Sequence, residues 1–227
     1  MPQNSSLIVV RVGGSLLDLP NLHAHLQELC ALLRPAPLLL ITGGGRAADV
    51  IRELDTRCRL PSGKSHWDAI AAMSLNAQVL VRTGTDLQLA TDQDTALSIH
   101  ASGRIPVLDT FTHLRTTGVS TADRLPESWD VTSDSIAAAI LRDWQGSKLI
   151  LVKSCQPPAG DIPGLAAAGA VDQYFPTVSD ELDVEWCWLR EAGLPAMPHS
   201  GSKCSFQCTT FFKSQFNSGV EPRPLHF

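Results

Sequence analysis

The chain has 227 residues, 44% hydrophobic and 18% charged, a balance that suits one globular domain and leaves no apolar run of the roughly 18 residues that a membrane span requires. A net charge of −5 without any Lys/Arg cluster argues against a nucleic-acid partner, which needs concentrated positive charge to displace counterions. The six cysteines are scattered and the polar start Met1–Ser6 runs into a strand without the pattern of a signal peptide, so the expectation is a cytoplasmic protein with no disulfide framework.

Leu7–Val12 reads as a buried strand ending in Gly13-Gly14-Ser15. Leucines at 22, 26, 29 and 33 mark a helix that Pro35 stops, and Leu38–Thr42 is a second strand ending in Gly43-Gly44-Gly45. A helix from Arg46 to about Arg57 completes a βαβ unit, which implies a parallel sheet. Small and apolar residues all round Trp67–Val81 predict a largely buried helix. Thr95–Ser102 reads as a short helix, Arg104–Asp109 as a strand, and Ile136–Trp144 as a helix capped by Thr132 or Ser133. The strand Lys148–Val152 leads to Lys153-Ser154, and Gln156–Gly169 reads as loop with at most a short helix. Asp180–Ala192 is expected to be a helix with Trp186 and Leu189 on its apolar side, and Ser205–Phe212 a last strand before a tail at 213–227.

Glycines directly after a buried strand let the backbone approach a ligand and turn N–H groups toward one point. Two such turns in one domain suggest a polyphosphate site, and neither matches the Walker A pattern. The run Gly43-Gly44-Gly45-Arg46-Ala47-Ala48 does satisfy the dinucleotide pattern G-x-G-x-x-A. It follows the second strand, however, and lacks a strand-end acidic residue for the ribose, Asp68 falling inside a helix. Asp134 at a helix start and Lys153 at a strand end suit phosphoryl transfer, which needs rigidly positioned positive charge. Each has a plainer reading as well, Asp134 as a helix cap and Lys153 as a solvated lysine. His199, Cys204 and Cys208 match no standard zinc spacing, and no metal ligands are assigned.

Four blocks in this order, Val10–Leu17, Ile41–Gly45, Trp129–Ala137 and Leu151–Ser154, resemble the amino acid kinase superfamily over roughly residues 7–200. Trp129–Ser135 and His66–Met73 are most similar to the kinase of methanofuran synthesis, which phosphorylates an aminomethylfuran methyl phosphate. The resemblance implies a three-layer αβα sandwich around a mainly parallel sheet over residues 1–212, and a kinase using ATP and Mg2+. It assigns Gly13, Gly14 and Ser15, with Lys153 and Ser154, to phosphate and nucleotide, and Gly43, Gly44, Gly45, Asp130, Thr132 and Ser133 to the acceptor. Arg11, Asp134 and Lys153 would be the catalytic set, Asp134 organising the cations. Two positions depart from the family pattern: Arg11 stands where lysine is usual, and Cys155-Gln156-Pro157-Pro158 replaces an Asp-Gly element. The expected partners are a small phosphate or carboxylate acceptor and further copies of the chain. The alternatives are a non-catalytic binding or storage protein of the same fold and, third, an NAD-dependent oxidoreductase.

Overall fold

In the computed structural model the described residues are 6–116, 125–189 and, as backbone, 206–211. Seven strands form one sheet: β1 (Ile8–Val12), β2 (Leu38–Thr42), β3 (Leu87–Ala90), β4 (Ile105–Leu108), β5 (Lys148–Lys153), β6 (Asp183–Leu189) and β7 (Phe206–Phe211), in the spatial order β3-β4-β2-β1-β5-β6-β7. The first six are parallel and β7 pairs antiparallel to β6. Central β1 is flanked by β2 and β5, with Arg11 opposite Ile41 on one side and Leu151 on the other.

Alternation along these strands sends side chains into two separate cores. Val9, Leu39, Ile41, Leu149 and Leu151 face one, with α6 (Ser133–Asp143) and part of α3 (Ser62–Leu80). Val10, Val12, Leu38, Leu40, Ile150 and Val152 face the other, with α1 (Leu22–Leu33). Parallel strands buried on both faces read as continuous apolar runs, which is how β1, β2 and β5 appear in the sequence. Full burial of each Val, Leu or Ile contributes about 1.5–3 kcal/mol, so these three strands anchor the sheet. The result is the expected three-layer αβα sandwich.

Five further helices complete the layers: α2 (Gly45–Cys58), α4 (Gln93–Ala101), α5 (Thr110–Thr116), α7 (Ile162–Ala167) and α8 (Phe175–Val178). In α6, Ala137, Ala138 and Ala139 are fully buried, and such small side chains allow a helix to lie close to a sheet. No helix among the described residues is long and apolar enough to cross a membrane.

One expected element is corrected. The helix expected at Asp180–Ala192 is strand β6, in which Val184, Trp186 and Leu189 are buried and Lys153 of β5 lies opposite Trp188. Val and Trp favour a pleated, half-buried surface, and the Trp186/Leu189 spacing imitated a helical face. The last strand is found at Phe206–Phe211, within the expected span. His199, Cys204 and residues 213–227 lie outside the described residues.

Candidate active site

Parity along the strands decides where the charged residues go. Arg11 follows Val9 by two positions and Lys153 follows Leu151 by two, so both leave the ends of β1 and β5 on the α6 side. The α6 N-terminus arrives there from the opposite direction and inserts Asp134 between them. Asp134 Oδ1 lies 2.9 Å from Arg11 Nε, and Lys153 Nζ donates to Asp134 Oδ2 at 2.7 Å. Arg11 also donates to Ser133 Oγ, from Nε at 3.2 Å and Nη2 at 2.5 Å, and Lys153 donates to the Ala170 carbonyl at 3.0 Å. All three charged groups are buried.

Burial alone would raise the Asp134 pKa, but Arg11 and then Lys153 outweigh it and hold the carboxyl below its ordinary value. Lys153 is displaced downward by burial and by Arg11, against the pull of Asp134. The Asp134 carboxyl thus lies between the Arg11 guanidinium and the Lys153 side chain, within ion-pair distance of both.

Neither cation is exhausted by these contacts. A guanidinium has five N–H donors and an ammonium three. Among the described residues Arg11 Nη1 donates to nothing, and Lys153 Nζ makes hydrogen bonds to Asp134 and Ala170 and lies 5.5 Å from the Trp186 ring centroid. The Arg11 fork lies between the glycine turns: a Cβ on Gly43 would come within 3.1 Å of Nη2, and one on Gly13 within 3.4 Å of Nη1.

The turns themselves touch. A Cβ at Gly14 would fall 2.3 Å from the Gly45 nitrogen, and Gly45 has a φ of +51°, the left-handed region that favours glycine. Gly14 opens a 3-10 turn (Gly14–Asp18) and Gly45 opens α2, and the first N–H groups of a helical turn have no partner within it. Between the turns, at the C-terminal ends of β1, β2 and β5, lies a cavity of about 330 Å³. This is where ligands enter open parallel sheets.

Of the residues expected in the site, Arg11, Gly13, Gly14, Ser15, Gly44, Gly45, Thr132, Ser133, Lys153 and Ser154 line this cavity. Ser15 Oγ and Ser154 Oγ are 2.9 Å apart at its mouth. Asp134 lies behind the lining, reaching the cavity through its two cations. Gly43 lies beside it, its N–H donating to the Val12 carbonyl and its carbonyl accepting from Asn76 Nδ2. Asp130 is exposed and does not line it; its carboxylate accepts from Ser128 Oγ at 3.3 Å.

Sequence reasoning missed Asp172. Its carboxylate accepts from the Thr132 N–H at 3.0 Å, Thr132 Oγ1 at 2.9 Å and the Ser135 N–H at 3.0 Å, and also from Ser135 Oγ. The cap of α6 thus comes from a residue 40 positions away, and the Thr132 hydroxyl is committed to it. His66 of α3 and Trp129, which donates to Asp55 and stacks under Arg52 at 4.6 Å, were also not assigned.

No family model and no curated protein matches the chain. Solved structures do. The uridylate kinase from Archaeoglobus fulgidus aligns with a TM-score of 0.53 at 14% identity, covering 78% of this chain and 88% of that one. The UMP kinase from Ureaplasma parvum gives 0.53 at 11% identity, over 81% and 90% of the two chains. The aspartate kinase from Synechocystis gives 0.54 at 12%, covering 80% of this chain and 38% of that longer one. At these identities the likeness is one of fold: the chain shares the α/β fold of these uridylate and aspartate kinase structures.

Proposed function

We propose that the protein is a small-molecule kinase that transfers the γ-phosphoryl of ATP to an anionic acceptor, of which an aminomethylfuran methyl phosphate is the specific candidate. One observation carries this reading: a buried carboxylate fixes two cations at the floor of a cavity, and both cations keep donors for a further oxyanion. Transferring a phosphoryl group demands little covalent chemistry from a protein and much positioning and charge stabilisation. The fold of the uridylate and aspartate kinases supports the same reading.

The residues fit a nucleotide triphosphate. The turn at Gly13, Gly14 and Ser15, with Lys153 and Ser154 beside it, would hold its phosphates, and ATP supplies the phosphoryl group. Among the described residues no group of three or more His, Cys, Asp or Glu side chains is placed to hold a metal, so Mg2+ would arrive on those phosphates and no step is assigned to it. The acceptor would lie between Gly44, Gly45 and α3. Arg11 Nη1 and the Lys153 ammonium would then face the oxygens that gain charge, held in place by Asp134 before the substrates bind.

A thermal-shift panel tests the reading, because a ligand that binds only the folded state raises its apparent stability. Mg-ATP is expected to give the largest rise among ATP, ADP, NAD and phosphate. Stabilisation by NAD alone would replace the kinase with an oxidoreductase, and stabilisation by phosphate alone would replace it with a binding protein.

A further inference from the structure

The cavity has a second, mostly apolar wall. Ala69, Ile70 and Met73 of α3 face it together with Val131 and Ile136, and the one polar side chain that α3 contributes to it is His66. His66 is itself buried, with Nδ1 3.0 Å from the Ser128 carbonyl oxygen. A carbonyl only accepts, so Nδ1 carries the hydrogen. Burial lowers the His66 pKa from its ordinary value, against the opposing pull of the Ser128 carbonyl and of Glu127, which leaves the ring neutral at pH 7. In that tautomer Nε2 is a lone pair. It makes no hydrogen bond among the described residues, nor is it among the side-chain atoms sealed from solvent without a partner. His66 lines the cavity, and Nε2 is the ring nitrogen left to accept from a ligand there.

An apolar wall holds a ligand without orienting it, whereas a single fixed acceptor atom in such a wall selects a ligand that brings a donor to that point. Resting on the phosphotransferase reading, we propose that His66 Nε2 is a specificity contact for the acceptor, taking a hydrogen bond from an ammonium or hydroxyl group at the end remote from the reacting anion. The acceptor class is then a phosphate monoester or carboxylate with an apolar body and a distal N–H or O–H donor. His66 touches no transferred atom in this arrangement and acts on binding.

Three benzyl phosphates that differ only in the meta substituent, aminomethyl, hydroxymethyl or methyl, test the contact by calorimetric titration. The unaltered protein is expected to bind the two donor-bearing compounds about tenfold more tightly than the methyl compound. His66→Phe should remove the preference, and His66→Gln, which offers an amide oxygen, should keep part of it. In histidine-labelled protein, the His66 Nε2 resonance should move with the donor-bearing compounds and stay with the methyl one, a readout that needs no variant to fold. Equal affinity for all three, no binding of any, or a preference that survives His66→Phe overturns the proposal. Turnover of ATP on the same compounds separates the two readings. A preference without turnover leaves the His66 contact standing and removes the kinase; turnover with one kcat/KM for all three does the reverse.

Discussion

At the inner end of the cavity Arg11, Ser133, Asp134 and Lys153 are buried and tied together by contacts of 2.5–3.2 Å, whereas at its outer end α2 buries none of its residues and Arg52, Asp55 and Trp129 meet near the surface. The inner end is complete before any ligand arrives. One buried carboxylate holds both cations in place, so it is needed for stability as well as chemistry. The outer end lies nearer solvent, and changes to its side chains are expected to cost the core less.

The sharpest way to break this contrast is Asp134. Asp134→Ala leaves Arg11 and Lys153 buried without their counter-charge, and a loss of about 3–5 kcal/mol is expected in denaturant unfolding. Asp134→Asn keeps the shape and should lower turnover by at least about 10²-fold while ATP binding changes little, because the lost interaction counts most in the transition state. The same residue predicts the acid limit. The folded pKa is depressed, so the stabilisation is complete at neutral pH and is lost as pH falls below about 4 toward the folded value. Thermal melts of Asp134→Asn should lack that loss.

Arg11 comes next. Arg11→Ala is expected to lower turnover by about 10³-fold, the scale of removing a cation from a transferring phosphoryl group, and Arg11→Lys should restore part of it. Turnover by Arg11→Ala at the parent rate would move the catalytic charge to Lys153 alone.

A smaller effect is expected one layer out. Asp172→Ala strips the α6 cap of its acceptor and leaves the Thr132 and Ser135 donors unpaired, at a cost of about 1–3 kcal/mol. The outer end should respond least: Arg52→Ala removes a cation stacked on Trp129 at a half-exposed site, worth about 0.5–1 kcal/mol, with near-normal turnover. An Arg52 variant as damaging as Asp134→Ala would erase the distinction between the two ends.

What could be read in the sequence follows the same division. β1, β2 and β5 were legible because strands buried on both faces leave unbroken apolar runs with glycine turns at their ends. Arg11, Asp134 and Lys153 were legible as residues attached to those strands and to the start of α6. β6 was not, since half-buried Asp183–Leu189 carries an alternation that two well-spaced apolar residues disguised as a helix. The edge strand β3, four residues long, carries too little pattern to register. Asp172 and His66 escaped for a different reason: each acts across space, on a helix cap 40 positions back and on the Ser128 carbonyl 62 positions ahead. Local spacing has no signal for such pairs.

The antiparallel β7 has a consequence for how the chain survives its own synthesis. Until Phe206–Phe211 emerges, β6 is an open edge of seven residues that includes Trp186, Cys187 and Trp188, a template for pairing with another chain. A protein truncated before residue 206 should therefore form aggregates rich in intermolecular β-structure. The damage would not stop at the edge: Trp186 and Trp188 donate from their indole nitrogens to the carbonyls of Cys155 and Ser154, so the strand that the last one shields also steadies the loop beside Lys153.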